Sequence, residues 1–384
     1  MTAPKIMIVT GEASGDLHGA NLLRALREKL PELKACGMGG SELASLGMEI
    51  LFDAAKISVV GISEVISHLP DIFRAQQVLR RRLHTDRPDL LILIDFPDFN
   101  LMLAKRAKAL GIPVFYYISP QVWAWRSGRV KTIRKRVDKL GVILPFEVDF
   151  FRERGVDAEY AGNPLLDSIQ ALEDRKVFLA RLELPEETTC IGLLPGSRRR
   201  EIASMLPVFL RAARLLQEQS QRRLTFFLPQ ASTIADRDLE AAGLSLFQKD
   251  LDIRIIKEDR YSMMAACDAA MATSGTVTLE LAILQVPMVV CYRLSPLTYR
   301  LGKMMVKIDH FSLPNLIAGY IAIPELLQDE VTPERIAGEL TALLTVPEKM
   351  HNMKNDLRSI KDKLGEAGAS KKAAAVALKL LRIS

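Results

Sequence analysis

The stretch LLPGSRRREI, residues 193–202, runs from apolar residues through Pro195 and Gly196 into a serine, three arginines and a glutamate. Arg198, Arg199 and Arg200 stand where a helix opens, at the end that already carries partial positive charge. Each exposed cation there costs roughly 0.3–1 kcal/mol, so the arrangement predicts an anion that joins it. Gly196 lets the backbone approach a ligand, the amides of a helix start bind oxyanions at Ser197, and Arg198 has the fork to grip a phosphate through two hydrogen bonds. TSGTVTLE, residues 273–280, repeats the logic. Gly275 and Thr276 suit phosphate oxygens, and Glu280, one turn inside, can accept from ribose hydroxyls. Either stretch alone is ordinary turn chemistry; two in one half of the chain predict a nucleotide-diphosphate site.

A third candidate, TGEASGD at residues 10–16, follows the first apolar run. It lacks G-x-G-x-x-G, and no acidic residue stands where a dinucleotide ribose would need one, which disfavours a nicotinamide enzyme. By itself it reads equally well as a tight strand-to-helix connection.

The elements that must position these stretches are short apolar runs separated by helical patterns. They are KIMIVT (5–10), LLILID (90–95), PVFYYI (113–118) and KLGVILP (139–145) in the first half. The second half has CIGLLP (190–195), LTFFLP (224–229), IRIIK (253–257), AAMAT (269–273) and PMVVCY (287–292). Continuous rather than alternating hydrophobicity suits strands buried on both faces of a parallel sheet with helical crossovers. Each half therefore reads as a doubly wound α/β domain, with ligands expected outside the carboxyl ends of the strands. The turn-rich GNPLLD (162–167) is the candidate linker. The expected division is 1–167, 168–345 and a C-terminal helical segment, 346–384, returning to the first half.

A length of 384 residues suits two domains. An apolar fraction of 49% and a charged fraction of 26% are those of a globular protein rather than a disordered one. No leader precedes Lys5, and no apolar run of about 18 residues occurs, so neither export nor a membrane span is expected. Cys36, Cys190, Cys267 and Cys291 lack C-x-x-C spacing and read as small buried hydrophobes. The net charge of +6 favours acidic partners. Five dispersed histidines offer no metal site, and DRD (236–238) and DLD (250–252) read as solvated surface.

Taken together, GEASGD, IDFPDFN (94–100), SPQVWAWR (119–126), LLPGSR, SGTVTLE and SLPN (312–315) resemble the lipid-A-disaccharide synthase family of inverting glycosyltransferases, and they span most of the chain in order. The resemblance implies the GT-B architecture: two Rossmann-like domains facing across a cleft. It implies that UDP-2,3-diacylglucosamine donates its sugar to 2,3-diacylglucosamine 1-phosphate, with neither cofactor nor metal. Inverting transfer needs a base for the acceptor hydroxyl and stabilisation of departing UDP. Asp95 is the first choice for the base, with Asp98 in reserve; Arg198 and the two helix starts receive UDP, and Asn315 resembles a donor-site residue. Glu12, Asn100, Trp123, Trp125, Arg126 and Arg129 are assigned to the acceptor, although core packing competes for at least one tryptophan. Asn163 stands where many relatives carry histidine and is given no catalytic role.

Acylated substrates also imply a membrane surface. Val65, Ile66, Leu69, Ile72 and Phe73 form a helical apolar stripe followed by Arg80, Arg81 and Arg82, with Pro70 expected to break or kink the helix. The ordinary alternative is a core-facing helix. A peripheral protein on the cytoplasmic face of the membrane is expected, with oligomerisation left open. The rival readings are a UDP-sugar epimerase of the same architecture and a basic nucleic-acid-binding protein. The latter lacks a recognition module, so no nucleic-acid partner is expected.

Overall fold

The computed structural model describes residues 3–57, 69–125, 128–169, 172–294, 299 and 310–381. The chain divides into two compact units, Met1–Asp167 with Leu364–Ser384, and Ser168–Lys363. In the first, seven strands pair in the order β3-β2-β1-β4-β5-β6-β7. They are β1 (Lys5–Thr10), β2 (Lys34–Gly39), β3 (Glu49–Asp53), β4 (Leu90–Ile94), β5 (Val114–Tyr117), β6 (Lys139–Val142) and β7 (Ala158–Tyr160). All pair in parallel.

The continuous apolar runs have the expected cause. Leu91 and Leu93 of β4 join one core while Leu90, Ile92 and Ile94 join the core on the other face; in β5, Tyr116 turns to the first and Phe115 and Tyr117 to the second. Two faces covered by helices leave no solvent side on which polar residues could alternate.

The second unit holds β8 (Thr189–Leu194), β9 (Leu224–Pro229), β10 (Asp252–Ile256), β11 (Ala269–Thr273), β12 (Met288–Tyr292) and β13 (Glu325–Leu327), in the order β10-β9-β8-β11-β12-β13. They too are parallel throughout. In each sheet the strand order reverses once, between β1 and β4 in the first and between β8 and β11 in the second. Helices leave opposite faces on the two sides of such a point and open a crevice there.

Four strands carried no sequence signal. KACGMG of β2 contains two glycines and no β-branched residue, β3 is an edge strand, and β7 and β13 have three residues each. They are strands because neighbours pair with them, not because their own composition favours it.

Two expectations need correction. The Pro347–Leu364 helix falls almost wholly in the second unit, where Met353, Leu357 and Ile360 are buried and Met353 Sδ lies 3.4 Å from the Met288 amide. The return to the first unit is the Ala369–Leu380 helix, whose Ala373, Ala374, Val376 and Ala377 share a core with Leu22, Leu23 and Leu26. Tyr160 Oη donates to the Leu364 carbonyl at 2.7 Å, fastening the point of re-entry. Pro70 does not break the Leu69–Thr85 helix, within whose bounds it lies. It lies in the first turn, where the missing N–H has no partner to lose.

Candidate functional site

In the first unit GEASGD follows β1 and DFPDFN follows β4, so the two motifs flank the switch point although some eighty residues separate them. The backbone is strained there. Asp95 and Phe96 both have φ of 47° and Ile118, at the end of β5, has φ of 62°. Left-handed non-glycine residues cost of order 1–3 kcal/mol each and persist where surrounding contacts over-determine them. Here Asn100, fully buried, donates from Nδ2 to the carbonyls of Ile94 at 3.2 Å and Asp95 at 2.7 Å, and Tyr116 Oη donates to the same Asp95 carbonyl. Strand β4 accordingly stops at Ile94, one residue before the sequence pattern placed its end.

These bonds separate the two aspartates chemically. Asp95 is partly buried, and burial raises its carboxyl above the usual range against the lowering effect of the Phe96 backbone. Asp98, in the first turn of the Pro97–Ala109 helix, is 77% exposed and ion-paired with Arg129. Asn100, expected to orient an acceptor, instead ties down the turn that carries Asp95. Glu12 is exposed at the start of the Ala13–Lys29 helix. Asp16 of the same motif is buried and accepts from the amides of Gly40 at 2.7 Å and Glu42 at 2.9 Å.

After β5, Trp123 lies in the short Val122–Trp125 helix, edge-on to Phe146 at 5.1 Å, and its Nε1 donates to Glu147 Oε1 at 3.0 Å. Arg126 lies outside the described residues, and Trp125 is described in its backbone alone.

In the second unit PGSR follows β8 and SGT follows β11, neighbouring strands at the switch point. Gly196 has φ of 112°, and a Cβ there would lie 2.3 Å from Glu201 Oε2. That carboxylate answers the question posed by the arginines. Glu201 Oε2 accepts from the amides of Ser197 at 3.0 Å and Arg198 at 3.2 Å, while Oε1 lies 3.4 Å from Arg198 Nη1. Arg199 lies 3.3 Å from Asp238. An anion at the start of the Arg199–Gln219 helix is thus supplied by the chain itself, a correction to the expectation that it joins the arginines from outside the chain. The side chain of Arg198 remains 70% exposed.

The second helix start differs. Gly275 and Thr276 are exposed and no side chain caps the Thr276–Ile283 helix. Glu280 is buried, its Oε1 2.7 Å from Arg260 Nη2 and 3.3 Å from Tyr261 Oη; burial raises its carboxyl, and Arg260 opposes the rise. Asn315 is fully buried: Nδ2 donates to the Ile323 carbonyl at 3.0 Å and Glu325 Oε1 at 2.8 Å, and Oδ1 accepts from the amides of Ala322 and Ile323. Its amide group is consumed in shaping the turn after SLPN, which corrects the expectation of direct donor contact.

Of the apolar stripe, Val65 and Ile66 lie outside the described residues. Leu69 is 40% and Phe73 69% exposed, whereas Ile72 packs against the first core. Arg82 pairs with Glu49 and Asp86 rather than standing clear.

Sequence reasoning missed Glu147, Glu201, Arg260 and Glu325. Two carried a legible signal. Glu147 stands two residues after the Pro145 that opens its helix, and Glu201 lies in the first turn of its own, both ordinary places for a glutamate that satisfies helix-start amides.

A family model described as lipid-A-disaccharide synthetase matches residues 6–379. The lipid-A-disaccharide synthase of Geobacter metallireducens is 44% identical over 382 residues, 99% of this chain and 98% of the relative. That of Syntrophus aciditrophicus is 44% identical over 385 residues, covering 100% of both. Among solved structures, the UDP-GlcNAc 2-epimerase of Neisseria meningitidis bound to UDP-GlcNAc superposes with a TM-score of 0.67 at 14% identity, covering 98% of this chain and 100% of that one. Acinetobacter baumannii MurG does so at 0.61 and 15%, covering 98% and 99%. At such identities the likeness is one of fold.

Proposed function

The chain belongs to the lipid-A-disaccharide synthetase family, and on that premise we propose a division of labour between its two switch points. The protein is a GT-B glycosyltransferase. It joins the sugar of UDP-2,3-diacylglucosamine to the 6-hydroxyl of 2,3-diacylglucosamine 1-phosphate, giving the β-1,6-linked tetraacyl disaccharide 1-phosphate and UDP. The observation that carries the division is the opposite chemistry of the two strand edges. One offers the carboxylates Glu12, Asp95 and Asp98, the other Arg198 and an uncapped helix start. A hydroxyl to be deprotonated belongs with the first, and a diphosphate gaining negative charge belongs with the second.

In this reading Asp95 takes the proton of the acceptor hydroxyl. The oxygen of that acceptor hydroxyl bonds to the anomeric carbon from the face opposite UDP, and the bond from that carbon to the β-phosphate oxygen breaks. UDP leaves with the electron pair, its charge met by Arg198 and the amides at Gly275 and Thr276. Glu201 keeps the amides of Ser197 and Arg198. Glu280 offers ribose hydroxyls the oxygen not used by Arg260 and Tyr261, while Asn100 and Asn315 act through the turns they hold. Asp95 is preferred to Asp98 because a carboxyl raised toward neutrality is the stronger base. Trp123, Trp125, Arg126 and Arg129 remain assigned to acceptor recognition. The two units work as 1–167 with the returning helix for the acceptor, and 168–363 for the nucleotide sugar.

Among the described residues no helix is long and apolar enough to cross a membrane. Leu69 and Phe73 dock the protein peripherally on the anionic cytoplasmic leaflet, where both substrates keep their acyl chains.

The experiment is direct. Protein mixed with UDP-2,3-diacylglucosamine and 2,3-diacylglucosamine 1-phosphate should yield the disaccharide by mass spectrometry, with UDP released only when acceptor is present. Release of UDP from the donor alone, or conversion of the donor to an epimer, would favour the epimerase reading.

A further inference from the structure

Glu147 is a buried carboxylate that the transfer chemistry leaves unused. It lies in the first turn of the Pro145–Arg152 helix, 1% exposed, and four donors face its two oxygens. Oε1 accepts from Ser119 Oγ at 2.9 Å and from Trp123 Nε1 at 3.0 Å. Oε2 accepts from the amides of Leu144 at 3.1 Å and Ile143 at 3.3 Å. One oxygen is thus anchored to the end of β6 and the other holds the two side chains that follow β5. These bonds tie Ser119 and Trp123, four residues apart in SPQVWAW, to a neighbouring strand.

We propose that Glu147 is a positioning residue for acceptor recognition, its ionised carboxylate fixing the Trp123 indole and the Ser119 hydroxyl at the strand edge. The inference rests on the assignment of Trp123 to the acceptor. An indole N–H and two backbone amides can only donate, so the oxygens opposite them must accept. A proton on Oε1 leaves Ser119 able to turn and accept, but it weakens the hold on Trp123. Burial pushes the Glu147 carboxyl up to about 7, against the lowering effect of Ser119, Trp123 and the two amides. The titratable neighbour from the packed strands is Tyr160 of β7, whose hydroxyl is raised first by its own burial and then by the Glu147 charge. The bond to Trp123 is therefore poised to loosen as the pH falls below neutrality.

The fluorescence of Trp123 reads this contact without substrate, in a Trp125→Phe background that leaves a single tryptophan. Its emission is expected to titrate with a midpoint near 7 and to lose that transition in Glu147→Gln, which places an amide N–H against donors. In the two-tryptophan protein, Glu147→Gln should raise the acceptor KM on the order of tenfold, the loss of one charge-assisted hydrogen bond, and leave the donor KM unchanged. Trp123→Phe should give the same rise and abolish the acid-side increase in acceptor KM, so the test survives if Glu147→Gln does not fold. Emission that ignores pH between 5 and 9, or titrates identically in Glu147→Gln, overturns the inference. A titrating emission with an unmoved acceptor KM in both variants shows instead that Trp123 is not at the acceptor, and removes the reading beneath it.

Discussion

Gly11 and Phe96 are in direct apposition: a Cβ at residue 11 would lie 2.3 Å from Phe96 Cγ and 2.7 Å from its Cβ. The loop after β1 and the turn after β4 are thereby one packed unit, and Phe96 is a left-handed residue next to Asp95. Gly11→Ala must displace the ring and disturb the turn. We expect transfer to fall by at least about tenfold from misplacing the base, with UDP affinity unchanged by calorimetry. Retained turnover would show that the turn tolerates the shift.

Asp95→Asn should keep UDP binding and lose roughly 100-fold or more in transfer, the usual worth of a general base. Because burial raises the Asp95 carboxyl, its charged form is disfavoured in the folded state. Its contribution to stability is present at low pH and lost as pH rises through the raised value. At neutral pH the asparagine variant should therefore melt no lower than the parent. Asp98→Asn, which removes the exposed partner of Arg129, is the control. A dead Asp98→Asn beside a normal Asp95→Asn would exchange their roles.

Arg198→Ala should weaken UDP binding by about 1.5–3 kcal/mol, the cost of a lost charge-assisted contact. Glu201→Ala should act in the opposite sense, tightening UDP because two amides and the Arg198 guanidinium lose an internal competitor. It should also lower the stability of the second unit by about 1 kcal/mol through the lost helix cap. Weaker UDP binding by Glu201→Ala would mean that the carboxylate organises the site rather than competing for it.

Glu147 also predicts a pH dependence of stability. Its carboxyl rises from the ordinary 4.5 to about 7, so the folded protein holds this proton more tightly than the unfolded chain. The corresponding stability is fully present below 4.5 and is lost as pH climbs to about 7, on the order of 3 kcal/mol. The difference in melting temperature between parent and Glu147→Gln should change across this window and be constant above it. A flat difference from pH 4 to 8 would contradict the assignment.

Leu69→Ser with Phe73→Ser should reduce sedimentation with anionic vesicles and leave the thermal melt near that of the parent, since both side chains are exposed. Ile72→Ser should instead lower the melt, because Ile72 packs on the core. Equal vesicle binding by the double variant would move the docking surface elsewhere.

The sequence by itself determined the class of fold and the kind of chemistry. Strands such as LLILI and VFYY could be read because a segment buried on both faces must be apolar at every position, a requirement local enough to be written in consecutive residues. PGSR and SGT could be read as helix starts because helix-start chemistry depends on a few neighbouring residues. Tertiary structure alone decided that PGSR and SGT stand on adjacent strands, and GEASGD beside DFPDFN, since strand order is a matter of long-range pairing. It alone decided which polar residues turn inward. Asn100, Asn315 and Asp16 read as ligand contacts or helix starts, yet each bonds to backbone groups of a turn or helix start that the fold brings beside it. Ile72 and Phe73, neighbours in one apolar stripe, part company because one covers the core and the other meets solvent. Local pattern records how apolar a residue is; which way it faces depends on what the rest of the chain has brought beside it.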